Sequence, residues 1–144
     1  MDSRQVYVVF LIGGKEFGMA IECVSSILNP LGDYSLTEHF TIGTDSIKTR
    51  DGEVPLISFY KLNNIKSAPH SERTRIIIAT SNDQKAAFFV EMVKEFISFD
   101  FNNITCLDYS NERGQEYLKW QLTYDDRDIL IPDFDKILSE INQS

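Results

Sequence analysis

Two stretches of this chain repeat one order of features, and this repetition constrains the fold more than any other property of the sequence. In IKTRDGEVPLISFYKL, residues 47–62, an apolar segment leads into a charged turn, and a second apolar segment with a proline precedes a short helical turn. Near the C-terminus, LTYDDRDILIPDFDKIL has the same order. Because a charged turn between two apolar runs is typical of a β-hairpin, each stretch is predicted to be a hairpin followed by a helix, with Arg50 at the first tip.

A second pair of segments supports an internal duplication. GKEFGMAIE and DQKAAFFVE each have the pattern of the returning strand of a hairpin, and they end in Glu22 and Glu91 respectively. Gly18 in the first segment is expected to allow a close approach or a bulge. The period is too long for a solenoid, so the duplication predicts two lobes rather than a repeat array.

Hydrophobic periodicity predicts the remaining elements. Strands are predicted at 6–12, 16–21, 74–79, 85–91, 95–102, 118–124 and 129–131. The helical spacing of Ile21, Val24, Ile27 and Leu28 predicts a short helix that Asn29-Pro30 ends. A closing helix is predicted from Phe134 to Ile141 with Asp133 as its N-cap, and loops are predicted at 31–41, 63–72 and 103–116. About nine short strands favour two small, nearly closed barrels, because closure removes unpaired strand edges.

The length of 144 residues suits one domain that contains both lobes. We expect a single domain over 1–144, with lobes at approximately 16–66 and 73–133. The N-terminal strand and the C-terminal helix would complete the lobes.

The charge balance excludes several classes of partner. The chain has 14 basic and 22 acidic residues, which gives 14 − 22 = −8, so nucleic acid and anionic membrane surfaces are not expected to bind. There is no apolar run long enough to insert into a membrane, and Met-Asp-Ser-Arg does not open a signal peptide, so a cytoplasmic location is expected. Cys23 and Cys106 are isolated, as is typical of reduced structural thiols.

The sequence patterns do not favour a catalytic or metal site. The acidic run around Asp125, Asp126 and Asp128 lacks the glycine and closing glutamate of a calcium loop, and it is better explained as a hairpin turn and helix cap. His39 and His70 lie far apart in predicted loops, without zinc-ligand spacing. No cofactor is expected.

Four segments together resemble the CheW-like family, the coupling proteins of bacterial chemotaxis. The segments are GGKEFGMAIECVSSIL, IKTRDGEVPLISF, TRIIIATSNDQKAAFFVEMV and YLKWQLTYDDRDILIPDFDKIL. They are similar to the family's glycine, tyrosine-or-phenylalanine-glycine and aliphatic-acidic helix entry, its Asn-Leu-Arg-Gly turn with the following proline-containing strand, its second strand pair, and its closing hairpin and helix. The resemblance covers nearly the whole chain. It implies a mainly β fold of two five-stranded SH3-like barrel lobes, with short helices and a C-terminal helix.

The resemblance implies binding rather than catalysis. Proteins of this family bridge the cytoplasmic tips of methyl-accepting chemoreceptors to the regulatory domain of the histidine kinase CheA. A receptor tip is expected in the groove between the lobes, because exposed aliphatic residues beside an arginine suit an interface centre and its polar edge. Receptor carboxylates could pair with the arginine in bidentate fashion. The protein-binding residues predicted in this way are Arg50, Val24, Ile27, Ile47 and Asp51.

The chain also departs from the family pattern at the turn, where Lys48, Thr49 and Asp51 replace family residues and Ser58 replaces an aspartate. The fold is therefore implied more strongly than the partners. One alternative is a diverged CheW-like adaptor for another signalling kinase or array, and another is a small acidic β-barrel enzyme or ligand-binding protein. At the level of single residues, Val24 and Ile27 also fit a role in the core, and Arg50 also fits an ordinary solvated turn.

Overall fold

The structure, a computed structural model, describes residues 4–30, 40–50, 52–59, 70–100, 105–108 and 117–141. The strands in these ranges are β1 (Arg4–Ile12), β2 (Lys15–Ala20), β3 (Val24–Leu28), β4 (Phe40–Ile42), β5 (Ser46–Thr49), β6 (Gly52–Ile57), β7 (Arg75–Ser81), β8 (Gln84–Val90), β9 (Met92–Asp100), β10 (Thr105–Asp108), β11 (Leu118–Tyr124) and β12 (Arg127–Pro132). A 3₁₀ turn at Ile21–Cys23 joins β2 to β3, and helix α1 spans Phe134–Ile141. The predicted mainly β fold with a closing helix is confirmed.

The strands form two sheets of six. Sheet A has the order β10-β11-β12-β2-β1-β9, and sheet B has the order β3-β7-β8-β6-β5-β4. Within each sheet the neighbours are antiparallel except at one place, where β12 runs parallel to β2 in sheet A and β6 runs parallel to β8 in sheet B. Among the described residues each sheet therefore has one strand more than the five expected for each lobe.

The two sheets have the same topology, and each combines strands from both halves of the chain. When sheet B is written from its other end, β4-β5-β6-β8-β7-β3 matches β10-β11-β12-β2-β1-β9 strand for strand. The first half of the chain is β1–β6 and the second half is β7–β12, so the hairpins β1–β2 and β7–β8 have exchanged sheets. The lobes therefore differ from the predicted divisions at 16–66 and 73–133, because β2 belongs with the C-terminal strands and β7–β8 belongs with β3–β6.

Apolar residues pack into three cores. The interlobe core lies between the sheets and contains Val8, Phe10, Ile12, Phe17, Met19, Phe59, Ile77, Ala79, Phe88, Val90, Leu118, Phe134 and Ile137. Core A lies inside sheet A and contains Tyr7, Val9, Ile97, Phe99, Leu122, Ile129 and Ile131. Core B lies inside sheet B and contains Leu28, Ile47, Val54, Ile76, Ile78 and Ala87. Because alternate residues of a strand point to opposite faces, β1 and β7 each contribute to two cores, which explains their nearly unbroken apolar sequences.

The helix predicted at Ile21, Val24, Ile27 and Leu28 is wrong. After the 3₁₀ turn this segment is strand β3, which pairs antiparallel with β7. The register shifts between Val24 and Ser26, so an extra residue bulges out of the ladder. This bulge changes the alternation of faces, and both Val24 and Ile27 pack against the interlobe core. The spacing of three residues between Val24 and Ile27, which is typical of a helix, therefore comes from a strand with a bulge.

Two predicted loops also contain short strands, since β4 includes Phe40 and β10 lies at Thr105–Asp108. The described residues do not include 31–39, 60–69, 101–104 and 109–116. Most of the predicted loop residues, and most of the helical turn predicted after Ser58, fall in these ranges.

The closing helix begins as predicted. Oδ1 of Asp133 accepts a hydrogen bond from the backbone N–H of Lys136 at 3.2 Å, and its carbonyl accepts one from Ile137 at 3.0 Å. This is the geometry of an N-cap. Helix α1 follows a strand of sheet A but packs on β7 and β8 of sheet B, where the hydroxyl of Ser81 donates a hydrogen bond to Asp135. The helix therefore ties the two sheets together.

Candidate protein-binding site

The structure places the predicted binding residues in different parts of the molecule. Arg50 is exposed at the tip of hairpin β5–β6, whereas Val24 and Ile27 lie on β3, which β7, β8 and β6 separate from β5 in the sheet. Ile47 is fully buried in core B, opposite Val54 on β6. A buried side chain supports the fold and has no surface to offer a partner, so we leave Ile47 out of the proposed surface. Asp51 lies outside the described residues.

Val24 and Ile27 are half-buried at the border of the interlobe core. Their strand is an edge of sheet B, because no described strand pairs with β3 on the side away from β7. Ser25, the residue at the bulge, is exposed beside them. Both aliphatic side chains therefore pack against the interlobe core and also keep an exposed fraction. This arrangement is compatible with both roles considered from the sequence, protein binding and packing in the core.

One face of sheet A packs in the interlobe core, and the same face also carries an exposed apolar side chain. Phe96 on β9 is directly opposite Val8 of β1 and is 55% exposed. Because opposite residues in a ladder project from the same face, Phe96 continues the apolar face beyond the packed interlobe core. Ile21 is 42% exposed and follows Ala20, which is opposite Tyr7 in the β1–β2 ladder; Val6, the residue before Tyr7, is half-buried. We name Val6, Ile21, Val24, Ile27 and Phe96 the interlobe rim.

Sequence reasoning missed Phe96, although a signal was present. The alternation that predicted β9 places Ile97 and Phe99 inside, so Phe96 is an apolar residue on the side of the strand that is otherwise polar. Large exposed apolar side chains that gather next to a core are typical of protein-binding surfaces.

Arg50 lies next to a polar cleft that the sequence did not reveal. The parallel pairing of β6 with β8 brings the β5–β6 hairpin beside the β7–β8 turn. The two elements enclose a cleft of about 360 Å³ lined by Thr49, Gly52, Glu53, Val54, Pro55, Asp83, Gln84 and Lys85. Within the described part of the chain, neither Arg50 nor Lys85 forms an ion pair. The exposed hairpin tip thus combines an arginine that has no ion pair to a described residue with a neighbouring polar recess.

The equivalent hairpin of sheet A is fixed by ion pairs. The Nε atom of Arg127 lies 3.1 Å from both carboxylate oxygens of Glu16, and Nζ of Lys94 lies 3.1 Å from Oε1 of the same carboxylate. Glu95 joins this cluster at 3.5 Å from Arg127. Hydrogen bonds from Arg127 lower the pKa of Glu16, and the same bonds raise the pKa of Arg127. These charges hold β2, β9 and the β11–β12 hairpin together.

Burial alters the acidity of Tyr7 and of the two cysteine thiols. Burial raises the pKa of both cysteine thiols, and nearby Asp135 and Glu22 raise that of Cys23 further. Burial is also the main cause that raises the pKa of Tyr7 to about 12. A raised pKa keeps a thiol protonated and therefore a poor nucleophile. Among the described residues, no group of three His, Cys, Asp or Glu side chains is placed to hold a metal ion.

These features define a class of protein: a mainly β domain of two sheets with the same topology, with an exposed phenylalanine beside the interlobe core and an exposed arginine at a hairpin tip. Comparison with known proteins agrees with this class. The model of the family described as the CheW-like domain matches residues 6–142, and the chain therefore belongs to the CheW-like family.

Two individual relatives share between a quarter and a third of their aligned residues with this chain. The chain is 28% identical over 100 residues to the chemotaxis protein CheW of Helicobacter pylori, in a match that covers 67% of this chain and 59% of that protein. The chain thus spans less than two thirds of the length of this curated relative. The crystal structure of the scaffolding protein TtCheW from Thermoanaerobacter tengcongensis superimposes with a TM-score of 0.70 at 26% identity, covering 90% of this chain and 88% of that one. None of the described helices is long and apolar enough to cross a membrane.

Proposed function

We propose that this chain is a non-enzymatic chemotaxis adaptor that couples the cytoplasmic tips of chemoreceptors to the regulatory domain of the histidine kinase CheA in the cytoplasm. The observation that carries the proposal is the CheW-like match across residues 6–142. The solved relative described as a scaffolding protein, which superimposes over most of the chain, supports it.

The interlobe rim is the proposed contact for an apolar helix surface of the receptor tip. Phe96 and Ile21 expose large apolar side chains, and Val24 and Ile27 provide partly exposed aliphatic surface on the opposite sheet. A few buried anchors near the centre of an interface, mostly aromatic residues and arginine, contribute most of the binding free energy. Arg50 is proposed to pair with a partner carboxylate, because it is exposed and has no ion pair with a described residue.

The experiment is to measure binding of the purified protein to a chemoreceptor cytoplasmic-tip fragment and to the CheA regulatory domain from the same genome, by isothermal titration calorimetry. The wild-type protein is expected to bind both with micromolar or stronger affinity. Phe96→Glu is expected to weaken receptor binding by more than tenfold, since it places a charge on an apolar contact. Arg50→Glu is expected to weaken the same binding without changing the melting temperature, because the residue is a surface group.

Ile42→Glu is the matched control for the apolar substitution. Ile42 is also an exposed apolar residue, 38% exposed, but it lies on β4 at the far end of sheet B from β3. Its substitution should leave both affinities within about twofold, on the rule that interface energy concentrates in a few residues. Absence of binding to both partners by the wild-type protein at tens of micromolar would refute the proposed function.

A further inference from the structure

The edge strands β9 and β3 each carry a β-bulge, and the two bulges lie at equivalent places. On β9 the extra residue is Lys94, because its neighbours Val93 and Glu95 are opposite consecutive residues of β1. On β3 the extra residue is Ser25, since the residues on either side of it are opposite consecutive residues of β7. Strands β1 and β7 have the same place in the two sheets, so Lys94 and Ser25 are equivalent positions.

The β9 bulge determines which face of sheet A carries Phe96. With the bulge, Phe96 is opposite Val8, a residue of the interlobe core, and is 55% exposed. If Lys94 were paired in an uninterrupted ladder, each later residue of β9 would move by one position and Phe96 would be opposite Tyr7. Tyr7 is buried in core A, on the other face of the sheet. Phe96 is therefore exposed beside the interlobe core because of the bulge.

Four charged side chains hold this bulge. Nζ of Lys94 lies 3.1 Å from Oε1 of Glu16, and Oε2 of Glu95 lies 3.5 Å from Nη2 of Arg127, which also binds Glu16. Successive side chains of a regular strand project to opposite faces, so Lys94 and Glu95 reach one cluster because the bulge lies at Lys94. We name Glu16, Lys94, Glu95 and Arg127 the charge clasp.

The bulge of sheet B has no equivalent of the charge clasp within the described ranges. Lys85 of β8 has the ladder position that Glu16 has on β2, and Gly52 has the position of Arg127 next to the hairpin turn. The equivalents of the four clasp residues are thus Ser25, Ser26, Lys85 and Gly52, and none of them forms an ion pair with a described residue. The charge clasp therefore belongs to the sheet that carries Phe96 and is not a requirement of the duplicated fold.

The rest of the β9 segment before Phe96 is held by the backbone. The N–H of Glu91 donates a hydrogen bond to the carbonyl of Leu11 at 2.8 Å, and the Glu91 carboxylate accepts hydrogen bonds from the backbone N–H groups of Gly13 and Gly14. Strand β9 lies at the end of sheet A, so β1 is the one described strand that pairs with it. The charge clasp thus acts at the point where the ladder of this edge strand is interrupted.

We propose that Glu16 and Lys94 are positioning residues for receptor binding: the charge clasp holds the β9 bulge, and the bulge presents Phe96 to an apolar surface of the chemoreceptor tip. This inference rests on the proposed function, because Phe96 is the proposed receptor contact of sheet A. The Glu16 side chain is 15% exposed and is bound to Arg127 and Lys94, so it acts on the receptor through the position of Phe96.

A double-mutant cycle tests the proposal, with the affinity for the receptor-tip fragment measured by isothermal titration calorimetry. Glu16→Gln and Lys94→Met each open the clasp, and each should weaken binding about fivefold, within the range of coupling energies between contacting residues. Lys94→Arg keeps the charge and should bind like the wild type. In a Phe96→Ala background, Glu16→Gln and Lys94→Met should change the affinity by less than about twofold, because the residue that they position is absent.

The control is Lys15→Met, which removes the charge of an exposed lysine next to the β1–β2 turn and should leave the affinity within about twofold of the wild type. Amide hydrogen exchange of the free protein, followed by NMR, gives a readout that needs no partner. Glu16→Gln should accelerate exchange at residues 93–96 of β9 and leave residues 24–27 of β3, at the bulge without a clasp, close to the wild-type rates.

The outcomes separate this inference from the proposed function. If the wild type binds the receptor tip but the clasp variants bind equally well, or lose the same affinity with and without Phe96, the inference fails and the proposed function stands. An equal loss in both backgrounds would show that Lys94 contacts the receptor directly. Equal acceleration of exchange in β9 and β3 would also overturn the inference, because the clasp would then stabilise the whole fold and not the β9 bulge. If the wild type does not bind the receptor tip, both fail.

Discussion

Removing the charge of Glu16 should destabilise the protein in a way that depends on pH. The Glu16 side chain is 15% exposed and accepts hydrogen bonds from Arg127 and Lys94 that fix the end of sheet A. A hydrogen bond to a charged group contributes about 1.5–3 kcal/mol, and partial solvent exposure reduces this value. Glu16→Gln keeps the shape of the side chain, and we expect it to lower the free energy of unfolding by about 1–3 kcal/mol at pH 7.

The sign of the pH dependence follows from the lowered pKa of Glu16. Because the folded-state pKa of Glu16 lies below the ordinary value of a glutamate, the charged form stabilises the folded state above that ordinary pKa, and this stabilisation is lost as the pH falls through the folded-state pKa. The difference between wild type and Glu16→Gln should therefore be largest near neutral pH. It should shrink progressively in acid, where the wild-type carboxyl also becomes neutral.

The assay is urea unfolding followed by circular dichroism at neutral pH and at several values below the ordinary glutamate pKa. For a chain of this size, about 1–3 kcal/mol corresponds to a fall of about 3–10 °C in melting temperature. Lys85→Gln is the matched control, because Lys85 has the equivalent position in sheet B without an ion pair to a described residue. An equal loss for both variants, or a loss for Glu16→Gln that does not diminish in acid, would refute the reasoning.

Two further substitutions test the packing and the helix cap. Gly18→Val should destabilise the protein by about 1–3 kcal/mol in urea unfolding, because a Cβ at Gly18 would lie 3.0 Å from Cδ1 of Ile131 and 3.1 Å from Cγ2 of Ile129; unchanged stability would show that these side chains move aside freely. Asp133→Ala should lower the free energy of unfolding by about 0.5–2 kcal/mol, while Asp133→Asn retains most of it. Equal losses for the two Asp133 variants would show that the side-chain cap is not the stabilising contact.

Sequence reasoning succeeded where a pattern is local. The charged turn around Arg50 lies between strands whose register matches the predicted hairpin, with Ile47 opposite Val54. The spacing of Phe134, Ile137 and Leu138 predicted a closing helix whose three residues are buried. In both cases the residues that form the sequence pattern are neighbours in the chain and also form the turn or the helix. Turn residues and helical periodicity act over a few positions, so local sequence is enough to predict them.

Sequence reasoning failed where the structure depends on distant partners. The spacing of Val24 and Ile27 fits a helix, and only the pairing of β3 with β7 shows that a bulge places both side chains on one face. The lobe boundaries failed for a related reason. The β1–β2 and β7–β8 hairpins occupy equivalent places, so local sequence does not reveal which sheet each one joins. The cleft beside Arg50 was missed because it is formed by the parallel pairing of β6 with β8.

The exchange of hairpins also ties the two halves of the chain into one fold. Each sheet contains strands from both halves, and helix α1 follows β12 of sheet A and packs on β7 and β8 of sheet B, so the interlobe core includes residues from both sheets and the helix. In sheet A, Glu16 and Arg127 hold the hairpin tip in place, and in sheet B their equivalents Lys85 and Gly52 leave the corresponding tip without that ion pair. Duplication thus supplies two scaffolds of the same topology, and the charges at their equivalent positions differ.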